Sequence, residues 1–115
     1  MHELSIAMSI LDAVAEQSQQ RGGARITAVH VKVGPLSGVV ADALQGAFDM
    51  ARLETNFADC NLVIEQTPVL VHCPRCDADH EVKSIQKLAC SVCGTLTAHV
   101  VGGRELEVCA MEIIE

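Results

Sequence analysis

Apolar residues recur at three- and four-residue spacing over residues 3–20. Leu4, Ala7, Met8, Leu11 and Ala15 form one stripe, and Ile6, Ile10 and Val14 widen it, so the pattern predicts an amphipathic helix. Gly22-Gly23 ends it. Over residues 24–33 (ARITAVHVKV) the period changes to two and predicts a strand. Thr27, Val29, Val31 and Val33 share one face, and Ile26, Ala28, His30 and Lys32 a half-solvated one. Gly34-Pro35 breaks that strand, and Ser37-Gly38 follows as loop. A second helix is predicted over residues 40–54, with Leu44, Ala47, Phe48 and Ala51 at helical spacing. A second strand covers roughly residues 61–71, placed at an edge or bent at Pro68. The last strand, about residues 104–114, alternates Leu106, Val108 and Ala110 against Glu107, Cys109, Met111 and Ile113.

Residues 72–100 carry few large apolar side chains and cannot close a hydrophobic core of their own, so a metal must hold them. The expected fold class is α+β, a small three-stranded sheet with two helices plus an inserted zinc-ribbon-like module. Residues 1–71 and 101–115 then form one domain, and residues 72–100 are inserted into it.

Composition narrows the function. With 115 residues the chain has the size of one compact domain with a small appendage. Half of its residues are hydrophobic, which argues against disorder. Its only aromatic residues are Phe48 and Phe57, so the core is aliphatic and the stacking platforms of single-strand nucleic-acid binders are missing. A formal net charge of −7 disfavours nucleic acid and anionic membranes as partners. No apolar run approaches the ~20 residues of a membrane span. Acidic Glu3 and Asp12 stand where a signal peptide would be basic, so the expected location is cytoplasmic.

Four of the six cysteines form two CxxC pairs, CPRC at 73–76 and CSVC at 90–93. Each such turn lets two thiolates reach one ion, and two turns supply a tetrahedral S4 set suited to Zn(II). Thirteen residues separate Cys76 from Cys90, enough for a short hairpin to return. Gly94 suits the tight turn of a knuckle. A redox CxxC needs one pair, not two in a module. A nucleic-acid ribbon would need a basic surface, and between residues 72 and 100 Arg75, Lys83 and Lys87 are balanced by Asp77, Asp79 and Glu81. A zinc closed by four thiolates has no open coordination position, so it is structural or a sensor whose ligands can change. His72 and His80 read as exposed or supporting histidines near the first knuckle. Cys60 and Cys109 read as small buried hydrophobes.

At the other extreme, the chain opens MHE. A large second residue leaves the initiator methionine in place. The Met1 amine, the His2 backbone nitrogen and the His2 imidazole can close fused rings around one ion, with the Glu3 amide or a carboxylate as fourth donor. Deprotonated amide nitrogens favour square-planar ions, so Ni(II) and Cu(II) fit and Zn(II) does not. Spacing alone leaves His2 equally readable as an ordinary helix start.

The opening MHELSIA, VKVGPLSGV at 31–39, the two cysteine pairs and the closing ELEVCAMEIIE resemble, in order and over the full length, the HypA/HybF family of nickel metallochaperones for NiFe-hydrogenase maturation. The resemblance implies His2 as essential nickel ligand, supported by the Met1 amine and Glu3, and structural zinc on Cys73, Cys76, Cys90 and Cys93. It leaves Asp42, at the start of the second helix, as a residue that could approach the nickel end. It implies a hydrogenase maturation GTPase and the hydrogenase large-subunit precursor as partners; the family includes monomers and dimers, so a homodimer is open, as is service to urease. Surface roles suit His30 and His99. With no Ser/His/Asp set, phosphate loop or paired carboxylates, the chain is not expected to be an enzyme. Two other readings remain: a zinc-ribbon protein-interaction module without transferable metal, and a nucleic-acid ribbon, which the charge disfavours.

Overall fold

The computed structural model describes residues 2–115. Two helices, α1 (Glu3–Gln20) and α2 (Ala41–Ala51), accompany six strands: β1 (Arg25–Val33), β2 (Asn61–Gln66), β3 (Leu70–Cys73), β4 (Ala78–Glu81), β5 (Val100–Gly102) and β6 (Leu106–Ile114). A short 3-10 turn, Arg52–Glu54, continues α2. The strands make two sheets, β2-β1-β6 and β4-β3-β5, in a molecule 52 × 25 × 15 Å across. β2 runs parallel to β1 through the α2 crossover, and β6 returns antiparallel on the other side. The expected α+β class, with two helices on a three-stranded sheet and a ribbon-like cysteine module, is what the chain adopts.

The main core joins Ala7, Ile10, Leu11 and Val14 of α1, Val29, Val31 and Val33 of β1, Leu44 and Phe48 of α2, and Cys60 and Leu62. The stripe on α1 is rotated from its expected centre. Leu4 and Met8 are more than half exposed, and Ile10 and Val14 carry the burial instead. Apolar residues cover more of this helix than a two-layer fold can bury, so one flank stays in water. Ser18 reaches the buried side because its hydroxyl donates to the Ala24 carbonyl at 2.7 Å, and the Gly23 N–H closes the helix end on the Ser18 carbonyl at 2.8 Å.

Two β-bulges change the expected strand faces. The β1–β6 register slips between Ile26 and Ala28 and again between His30 and Val31. An extra residue reverses the period-two alternation. Thr27 takes that place on β1, so Ile26 joins Val29, Val31 and Val33 in the core instead of lying on the solvated face. Cys109 takes it on β6 and is exposed, not buried; its thiol donates to the His30 carbonyl at 3.4 Å.

The strand expected over 61–71 is two strands in two different sheets. Residues 67–69 are the crossing, where Pro68 cannot donate to a ladder. The second sheet has a small apolar cluster of Val69, Val71 and Val82, flanked by Leu36, Leu88 and Val100. The inserted stretch therefore does share a core, but Leu36, Val69 and Val71 of it lie outside residues 72–100.

Leu36 belongs to the loop that follows β1, so this loop plugs one sheet's end into the other sheet's core. Around it the two crossings are tied together. The Gly34 N–H donates to the Glu105 carbonyl, and the Leu36 N–H to the Gly103 carbonyl, both at 2.8 Å. The Glu105 carboxylate accepts from the Thr67 hydroxyl and the Gly103 N–H, again at 2.8 Å. A Cβ at Gly34 would stand 2.1 Å from the Gly103 carbonyl oxygen, which is why glycine occupies this close approach.

Candidate metal centres

The four knuckle cysteines converge. Cys73 ends β3, Cys76 follows in the turn to β4, and Cys90 and Cys93 come from the second turn. Their sulfurs all lie within 4.8 Å of one another, with Cys73–Cys93 at 3.5 Å and Cys76–Cys90 at 3.9 Å. A tetrahedral ion with Zn–S bonds of ~2.3 Å has S···S edges of about 3.8 Å, so the cluster has the dimensions of a ZnS4 site. Both knuckles turn through a left-handed residue just after their second cysteine, Asp77 at φ 50° and Gly94 at φ 78°. The Cys76 N–H points at the Cys73 sulfur at 3.4 Å, and the Gly94 N–H closes the second turn on the Cys90 carbonyl at 2.9 Å.

Cys73 and Cys90 are buried, and Cys76 and Cys93 are half-buried. The Thr95 hydroxyl lies 3.1 Å from the Cys93 sulfur. That hydrogen bond, with one from the Thr95 backbone, brings the Cys93 thiol down to about 6. Cys76, bonded to Cys93 and partly desolvated, is pushed up to about 12. A divalent cation taken up by all four sulfurs must displace the remaining protons.

The surrounding polar groups brace the module. His72 Nδ1 lies 2.9 Å from Asp79 across the β3–β4 ladder, and the Thr97 hydroxyl donates to the His72 carbonyl at 2.9 Å. The His72 and His99 rings meet edge to face at 5.7 Å. Sequence reasoning did not single out Thr95, Thr97 or Glu105. CSVCGT and ELEV hold hydroxyl and carboxylate residues like any other loop, and only the folded contacts distinguish them.

At the other end, His2 caps α1 with its backbone: its carbonyl accepts from the Ile6 N–H at 3.2 Å. Its side chain makes no capping hydrogen bond and is exposed. Glu3 occupies the first turn. The Met1 donor lies outside the described residues. Among those residues, no third metal-type donor is gathered with His2: the cysteine cluster is the only group of three or more. Asp42 is exposed in the first turn of α2, and His30 is paired with Glu112 at 2.9 Å on the sheet's outer face. Cys60 is fully buried, and that burial raises its thiol above the ordinary value. No helix among the described residues is long and apolar enough to cross a membrane.

Residues 1–113 match a family model described as HypA, hydrogenase/urease nickel incorporation, metallochaperone. A hydrogenase maturation factor HypA from Chloroflexus aurantiacus is 42% identical over 112 residues, covering 97% of this chain and 98% of the relative. One from a Roseiflexus species is 40% identical, covering 97% and 91%. Among solved structures, that of the Ni metallochaperone HypA from Helicobacter pylori superposes with a TM-score of 0.67 at 23% identity, covering 99% of this chain and 98% of the other. A second HypA solution structure gives 0.70 at 22% identity, covering 99% and 97%. At these identities the two structures speak for the fold.

Proposed function

We propose, since this chain belongs to the HypA family of hydrogenase/urease nickel-incorporation metallochaperones, that it carries Ni(II) as cargo at its N-terminus and delivers it for maturation of NiFe-hydrogenase. The family is one of metallochaperones rather than catalytic enzymes. The observation that carries the nickel site is the state of His2. Its backbone starts α1 while its imidazole is exposed and unused by the cap. The ring is therefore available to chelate together with its own amide nitrogen, the Met1 amine and a Glu3 donor. Such a set favours square-planar Ni(II). Exposure suits a carrier, because ligands at a chain end open easily, and protons compete with nickel, so binding weakens as pH falls.

In this reading Cys73, Cys76, Cys90 and Cys93 hold structural Zn(II). Residues 72–100 form the zinc unit, and residues 1–71 with 101–115 the nickel unit. The recipients are a hydrogenase maturation GTPase and the hydrogenase large-subunit precursor, met in the cytoplasm. The clasp at Gly34, Thr67 and Glu105 offers a route by which the zinc unit affects the nickel unit. A folded Cys93→Ala variant with unchanged nickel affinity would remove that coupling.

The test is a nickel titration of zinc-loaded protein with an unmodified N-terminus, followed by d–d absorption beside a His2→Ala variant. A square-planar signal at one equivalent that disappears in the variant is expected. Identical binding in both proteins would move the function to the zinc unit as an interaction module.

A further inference from the structure

Three polar side chains stand in a row across one face of the second sheet. β3 alternates in burial, with Val71 and Cys73 inside and Leu70 and His72 on the half-exposed face. On one side of His72 the ladder pairs Asp79 of β4. On its other side the Val71–Val100 pairing continues to His99, whose carbonyl accepts the His72 N–H at 2.9 Å. Asp77, from the knuckle turn, reaches the same imidazole. Its carboxylate lies 3.8 Å from His72 Nε2, while that of Asp79 lies 2.9 Å from Nδ1. The His72 and His99 ring centres are 5.7 Å apart.

We propose that His72 Nε2, His99 and Asp77 bind a second divalent ion of the zinc–nickel class on this face, apart from the four cysteines, with Asp79 as the positioning residue of His72. The dimensions fit. Two imidazoles bound at ~2.0–2.1 Å to one tetrahedral ion set their ring centres about 5.2 Å apart. An imidazole nitrogen and a carboxylate oxygen on such an ion lie about 3.4 Å apart. Both distances in the fold are wider by about half an ångström or less. As folded, the donors stand in pairs around His72, and the cysteine cluster is the only group of three or more among the described residues. Side-chain rotation closes the gaps, because the Asp77 side chain is 95% exposed and His99 is exposed, while the backbone stays in its ladder.

Asp79 decides which nitrogen is offered. A carboxylate beside Nδ1 keeps the proton there and leaves the Nε2 lone pair for the ion, the arrangement common among metal-binding histidines. Charge favours a cation. Residues 72–82 contain Asp77, Asp79 and Glu81 against Arg75 alone, and the ladder sets Glu81 opposite Leu70 on the same face as His72. Two imidazoles and a carboxylate suit Zn(II) or Ni(II) rather than Mg(II) or Ca(II). Three protein ligands leave one position to water, so this ion exchanges more readily than one closed by four thiolates.

The experiment uses the full chain carrying His2→Ala, with one equivalent of zinc already on the cysteines. Further Zn(II) is added and followed by calorimetry and by the ring-nitrogen NMR shifts of the histidines. One more equivalent is expected to bind, moving the signals of His72 Nε2 and of one His99 nitrogen while the amides of Cys90 and Cys93 stay in place. His72→Ala and His99→Ala should each weaken it at least about tenfold, and Asp79→Asn by about 10–100-fold. His80→Ala should leave it unchanged, since His80 pairs with Val71 on the opposite face. His99 is exposed, so its variant keeps the test sound if His72→Ala unsettles the sheet. Absence of a further equivalent would overturn the proposal and leave His72 as an ion-pairing residue. Binding untouched by His72→Ala and His99→Ala would also overturn it, as would shifts showing that His72 enters the cysteine site in place of a thiolate. Because His2 is already replaced, the result stands whether or not nickel binds the chain end.

Discussion

Replacing Gly34 by alanine tests the junction between the two units at a single carbon atom. The new Cβ would lie 2.1 Å from the Gly103 oxygen, 2.3 Å from its carbon and 2.8 Å from Glu105 Oε1. Ordinary contact begins at 3.4 Å, so both backbone atoms would have to withdraw by more than 1 Å, and backbone cannot rotate aside as a side chain does. Forced overpacking of this kind costs about 1–3 kcal/mol. Moving the 103–105 segment away also strains the Gly34–Glu105 and Leu36–Gly103 hydrogen bonds, each contributing about 1 kcal/mol. Alanine stiffens the unfolded chain and returns about 0.4–1 kcal/mol. The net destabilisation is then about 2–4 kcal/mol. For a chain of this length about 1 kcal/mol corresponds to about 4 °C in Tm, so the drop is about 8–16 °C. Gly46 is the matched control, lying inside α2 with nothing within 4 Å of the place a Cβ would occupy. Gly46→Ala should raise stability by about 0.8–1 kcal/mol from helix propensity alone. Thermal melts of the two zinc-loaded variants by circular dichroism decide the matter. A Gly34→Ala melt within about 2 °C of the unaltered protein would show that the close approach does not hold the units together.

Two further outcomes are expected. Stripping the metal with a strong chelator should disorder the β3–β4–β5 sheet while α1 and α2 keep their helicity, because the main core contains none of the four cysteines; amide dispersion lost from residues 70–102 alone supports this, and unchanged spectra refute a structural metal. The Glu105 carboxyl is held below its ordinary value of 4.5, by its own backbone first and then by the Thr67 hydroxyl and the Gly103 N–H. A folded-state value below the unfolded one gives stability that is full above 4.5 and is lost as pH falls through the lower folded value. Glu105→Gln should flatten the acid limb of the stability–pH curve, and an unaltered limb counts against the clasp.

The sequence was most legible where one residue type carries its own geometry. The CPRC and CSVCG turns announce their convergence, and the four sulfurs meet as the spacing requires. Gly22-Gly23 likewise marks the end of α1. What stayed hidden depends on distant partners. Nothing local at Thr27 or Cys109 shows that each is the extra residue in a ladder 85 or 79 positions away, yet those slips move Ile26 inward and Cys109 outward. Pro68 signalled an interruption, but whether the chain bends within one sheet or leaves for another depends on what β3 pairs with. Gly34 and Gly102-Gly103 read separately as loop breakers. Their contact, with Glu105 as its buckle, exists only once both crossings are in place. The outer flank of α1 failed for a different reason, since an apolar arc wider than the available core leaves the choice of face to packing.

Nickel held by the chain terminus itself, with His2 as its anchor, is what the proposed function depends on. The most direct measurement is a competition titration of nickel against a colorimetric chelator, comparing the protein with a free Met1 amine and one whose Met1 amine is acetylated. Acetylation leaves His2, the fold and the cysteine cluster intact but removes the α-amine from the chelate ring. A terminal chelate predicts that the one-equivalent site is weakened at least about a hundredfold, with the square-planar absorption lost. An acetylated protein that binds nickel as tightly as the original, with the same spectrum, would contradict it.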